Sequence, residues 1–77
     1  MSGPHSVLAD LLALEEAYRA WLDLLDEEAA GRVPDAATVA GTLVWVRSAV
    51  EAVGQPTADV CWRRVSSAHA RARGEGT

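Results

Sequence analysis

The chain has no lysine, isoleucine, asparagine or phenylalanine, and a single cysteine. Each shortage excludes something. With Cys61 alone, no disulfide can form within the chain, and a reducing compartment, the cytoplasm, is the simplest expectation. His5, Cys61, His69 and the carboxylates show no paired spacing of the kind a zinc site needs, so neither a metal nor another cofactor is expected. A net charge of −4 argues against a general binder of polyanions. No uninterrupted apolar run reaches the roughly 18 residues that span a bilayer. The opening "MSGPHS" lacks the basic region and apolar core of a secretion signal, and no membrane partner is expected. Alanine, valine and arginine take the place of the missing types, as the codon bias of a high-GC bacterium would produce.

A chain of 77 residues makes one domain at most. At this size only about 60–65% of the unfolded surface leaves the water on folding, and a single core yields only about 3–5 kcal/mol. Small folds make up the difference with disulfides, a metal or a partner surface. The first two are missing here, which leaves the third.

Residues 6–30 contain no proline or glycine, and Ser6 can cap a first helix with Asp10 near its first turn. Val7, Leu11, Leu14, Tyr18, Trp21 and Leu25 recur in steps of three and four, one stripe of a helix. Ala9, Ala13, Ala17, Ala20 and Leu24 form a second stripe, small enough for another helix to come close. Gly31 ends the element, and "GRVPD" turns the chain.

The stretch "TLVWVRSAVEAVGQP" is rich in β-branched residues and could be read as a strand. Leu43, Val44, Trp45 and Val46 do not alternate in polarity, however, whereas Val39, Leu43, Val46, Val50 and Val53 keep a helical stripe up to Gly54 and Pro56. The pattern runs for about fifteen residues, too long for a typical strand of about five or six. It predicts a helix over residues 36–53, capped by Asp35, with Pro34 at the first helical position as the alternative. Thr57 is the expected cap of a third helix, residues 57–72, whose stripe is Cys61, Val65, Ala68 and Ala72, followed by a tail over 73–77. The expected fold is an all-α three-helix bundle with up-down-up connections, completed by oligomerisation or by docking on a partner.

Helix 2 is apolar outside its stripe as well. Val44 stands nearly opposite the stripe and Trp45 about 120° from its centre, by the helical period. Three helices of this length cannot cover every side of one of them: either helix 2 is central, with Trp45 in the core against helix 3, or part of it meets another chain. Leu14, Tyr18, Trp21, Leu25, Leu43, Trp45, Val46 and Trp62 are therefore the candidate interface residues, with tryptophan the type most enriched at binding hot spots. Charge is split: seven acidic residues and one arginine, Arg19, on helix 1 against Arg63, Arg64, Arg71 and Arg73 near the C-terminus. Antiparallel helices could pair these surfaces within a chain or between copies. The expected function is non-catalytic: a small adaptor or accessory subunit that associates with itself, most simply as a dimer, or docks on a larger protein.

Two resemblances mark the alternatives. "VEAVGQPTADVCWRRV" resembles a helix-turn-helix motif, with Val53 and Gly54 closing one helix and Val60 and Arg63 on the next. That implies a DNA-binding regulator whose second helix offers Thr57, Trp62, Arg63 and Arg64 to nucleic acid, with Asp59 set unfavourably near the phosphates. Helix 1 is similar in length and pattern to the first helix of the chorismate mutase family, small helical dimeric enzymes. That family holds its dianionic substrate with several arginines and a lysine. Here lysine is absent, and Arg19 and Arg47 are the arginines that could line such a site. Cys61 is expected to pack as a small apolar group, and His69, with no acidic residue a helical turn away, to sit solvated at the edge of helix 3. No Asp-Ser-Leu attachment site of a carrier protein is present.

Overall fold

The structure is a computed structural model and describes residues 6–74. It is an all-α three-helix bundle: α1 spans Val7–Ala29, α2 Ala36–Val53 and α3 Gln55–Gly74. The caps of the first two helices are those the sequence announces. The Ser6 side chain accepts the Ala9 N–H at 3.2 Å and Asp35 accepts the Thr38 N–H at 3.2 Å, each satisfying an amide that has no partner in the first turn. After α1, Gly31 takes a positive φ of 87°. The Arg32 N–H bonds the Glu27 carbonyl at 2.9 Å, and its guanidinium pairs with the Glu27 side chain.

The turn into α3 is tighter than expected. Thr57 does not cap the helix; α3 begins at Gln55, and the Gly54 carbonyl accepts the Ala58 N–H at 3.0 Å. Gly54 alone joins α2 to α3, at φ 90° and ψ 152°, a conformation open to glycine and strained for other residues. Pro56 fits the first turn of α3, where its missing N–H has no intrahelical partner to lose. Gln55 donates to Asp59 at 2.8 Å across that turn. At its other end α3 continues to Gly74, beyond the expected boundary at 72. Of the expected tail, residues 75–77 lie outside the described residues, as do 1–5, His5 included.

α1 is the element both others share. It packs most extensively on α2 and next on α3, while α2 and α3 touch each other least. α1 and α3 are parallel, since Glu15 meets Arg64 and, farther along, Asp26 meets His69 and Arg73. Among the described residues the buried apolar core is short: Leu14, Ala17, Tyr18, Leu22, Ala49, Ala58, Cys61 and Val65, of which Leu14 is the one large side chain fully enclosed.

The buried face of α2 is rotated from the expected stripe. Thr42 and Ala49 are buried, Val39, Val46, Val50 and Val53 are half-buried, and Leu43 is exposed. Small groups let the two backbones approach, and the larger valines flank the contact. Thr42 loses nothing by burial, because its hydroxyl donates to the Thr38 carbonyl at 2.9 Å. At the start of α1, Val7 is 69% exposed and does not join the core.

A core with one enclosed large side chain fails when that side chain is cut. Leu14→Ala should cost about 2–5 kcal/mol, as much as a core of this size supplies, and leave the protein largely unfolded at 25 °C by circular dichroism. Val7→Ala should shift the urea midpoint by less than about 0.5 kcal/mol equivalent.

Candidate interaction surface

α2 and α3 diverge above α1, and the valley between them is lined by Tyr18 and Trp21 from α1, Leu43 and Val46 from α2, and Trp62 from α3, enclosing about 290 Å³. The Tyr18 and Trp62 rings meet edge to face, centroids 5.0 Å apart at 68°, the arrangement their quadrupoles favour. The Tyr18 O–H donates to the Ala58 carbonyl at 3.4 Å, which fixes the ring between α1 and α3. A second cleft, about 380 Å³, continues from Trp21 along Leu24, Leu25, Val33, Pro34 and Val39. Trp21 belongs to both, so the apolar lane runs from the middle of the bundle to the α1–α2 turn.

Five of the eight interface candidates thus share one valley, and Leu25 lies in its continuation. Leu14 does not: it is 0% exposed and belongs to the interior. Trp45 stands apart, on the flank of α2 away from the valley and 41% exposed, not packed away as an ordinary core residue. The face of α2 that points away from α1 carries Ala37, Ala40, Gly41, Val44, Ser48 and Ala52, every one exposed. Apart from its own neighbours along the helix, no atom of the described residues lies within 4 Å of where a Gly41 Cβ would stand.

By length and a mean hydropathy of 1.2, α2 is long and apolar enough to cross a membrane, a property the absence of an uninterrupted apolar run concealed. Arg47 and Glu51 lie one turn apart within that span, and its buried face rests on α1.

The opposite side of α1 is polar. Arg64 donates to Glu15 at 2.8 Å, and Arg73 to Asp26 at 2.7 Å. The two charge sets therefore pair within the chain, between parallel helices. His69 is not a solvated edge histidine: its Nε2 lies 2.8 Å from Asp26 Oδ2, a carboxylate 43 residues away. Arg19, Asp23 and His69 line an open cleft of about 300 Å³ with Val65 and Ala68. Arg47 lies elsewhere, beside Val44, Ser48 and Glu51 on α2, so the two arginines line separate surfaces. Among the residues proposed to read DNA, Thr57 and Arg63 are exposed, Trp62 leans into the valley and Arg64 is held by Glu15. Among the described residues no three His, Cys, Asp or Glu side chains come together as metal ligands.

Cys61 is 2% exposed. Burial pushes its thiol pKa up, the Glu15 charge adds to this, and Arg64 and Arg19 oppose it. Burial likewise raises the Tyr18 phenol, with Cys61 and Asp59 adding to it. No known family, curated protein or solved structure matches the chain.

Both raised groups favour the neutral form in the folded state. On raising the pH the unfolded chain ionises first, at the ordinary thiol and phenol values of about 8.5 and 10. Stability is then lost from that point upward through the folded values. The urea midpoint should be level from about pH 7 to 8 and fall above about pH 9. In the Cys61→Ala, Tyr18→Phe double variant the fall should be shallower.

Proposed function

We propose that this chain is a non-catalytic interaction module that associates with itself, the exposed faces of α2 and the aromatic valley forming the contact, and that it positions or stabilises a larger assembly. The observation that carries this reading is the state of α2. A helix whose apolar residues extend well beyond its buried stripe normally has more than one side covered, yet Leu43, Val44 and Trp45 are 42%, 65% and 41% exposed. Among the described elements of one copy, α1 packs extensively against it and α3 only slightly.

Magnitudes say how much surface must take part. Fully burying a valine or leucine stabilises by about 1.5–3 kcal/mol, and these side chains are already half-covered. Association costs about 4–15 kcal/mol in lost freedom. Three residues from each copy are too few to exceed that by much, so the lane past Trp21 and Leu25 has to join the contact. Charge sets orientation rather than affinity, and two of the basic row's arginines, Arg64 and Arg73, are already paired with α1 within the chain. The DNA-binding reading is weaker on the same grounds, since two of its four contact residues, Trp62 and Arg64, are engaged by the protein itself.

Sedimentation equilibrium tests this. Wild-type protein should show a mass above 8.2 kDa at micromolar concentration. Val44→Glu and Trp45→Glu should return it to a monomer with an unchanged helical spectrum, and Arg63→Ala should leave the association constant alone. A wild-type monomer throughout the micromolar range would rule out self-association.

A further inference from the structure

Beyond Val65, α3 no longer reaches the core. No residue from Ser66 to Arg73 is buried. The stripe expected to continue through Ala68 and Ala72 offers methyl groups, and both residues are exposed. α2 supplies little support, since it diverges from α3. The side-chain ties from this segment to α1 are polar and converge on one residue. His69 Nε2 lies 2.8 Å from Asp26 Oδ2, and Arg73 Nη1 donates to Asp26 Oδ1 at 2.7 Å. Alongside runs the open cleft lined by Arg19, Asp23, Val65, Ala68 and His69, so the facing side chains do not interlock. The charged groups around His69 are Asp26, Asp23 and Arg19 from α1 and Arg73 from its own helix.

We propose that Ser66–Arg73 is an arm hinged at Val65 and latched to α1 through Asp26, whose last helical turns unwind as a unit, breaking their own backbone hydrogen bonds, while Gln55–Val65 stays docked. The hinge falls where burial stops. On the docked side Ala58, Cys61 and Val65 are 0%, 2% and 6% exposed; on the arm side the tie is the partly exposed Arg73–Asp26 ion pair, which solvent weakens and salt screens, together with the His69–Asp26 hydrogen bond. Segments with few buried apolar contacts open locally at a small fraction of the global free energy. Opening separates His69, Arg71 and Arg73 from the acidic row of α1. That end of the bundle then presents the arginines of the arm, and Asp26 loses its partners. The surface at this end of the protein therefore depends on ionic strength, whatever covers α2.

Hydrogen–deuterium exchange on the full chain tests the device, with wild type compared at low and high sodium chloride and with Asp26→Asn at low salt. Amides of residues 69–73 should exchange about tenfold faster in Asp26→Asn and several-fold faster in wild type at high salt. Amides of residues 59–65 and 14–22 should not change. His69→Gln, which keeps a donor for Asp26, should fall between wild type and Asp26→Asn. Three results would overturn the proposal: arm amides unaffected by the substitution, arm amides already unprotected in wild type at low salt, or acceleration spread equally over α1 and the first half of α3.

Discussion

The contact between α1 and α2 is the constraint on which the rest of the molecule depends. On α2 the buried residues are small, Thr42 and Ala49, and the contact covers one side of a helix whose apolar residues extend well beyond that side. The valines of α2 lower its intrinsic helical preference, so packing has to hold the helix in place. α1 supplies that packing for α2 and, through Leu14, Tyr18 and Leu22, for α3 as well. Because α1 is the shared neighbour, α2 and α3 remain apart, and the valley between them is a consequence of the topology.

The two flanks of α1 do different work. One flank meets α2 through apolar groups. The other meets α3 through Leu22, Cys61 and Val65 at mid-height and through carboxylates toward its C-terminal end. Polar seams of this exposure give little stability, but they fix which way α3 runs along α1 and hold its last turns in register. The stability of the bundle is therefore uneven: highest around Leu14 and Tyr18 and lowest in the second half of α3. The single-residue joint at Gly54 sharpens the division, because α3 has no loop through which to adjust its position.

Much of the fold was legible in the sequence. Ser6, Asp35 and Gly54 mark helix boundaries by local chemistry, and the apolar periodicity separated helix from strand in a segment of β-branched residues. The errors share a cause. Leu22, Thr42, Ala49 and Ala58 are buried although none lies on an expected stripe, because the depth of a residue depends on how close two backbones come, and side-chain size alone does not state that. Thr57 has the chemistry of a cap, but a tighter turn at Gly54 starts the helix before it. His69 was read against its own helix, whereas its partner Asp26 is close only in space. Of the candidate site, the valley residues Tyr18, Trp21, Leu43, Val46 and Trp62 were visible as apolar positions on three helices; that they converge depends on the helices' relative rotation.

The central claim is that α2 is covered by a second copy of the chain, so that folding and association are linked. The most direct measurement is the thermal midpoint, followed by circular dichroism, as a function of protein concentration. A hundredfold increase within the micromolar range should raise the midpoint by several degrees. A midpoint that stays constant over that range, in a sharp two-state transition, would contradict the claim: one copy would then be stable with its apolar helix in water.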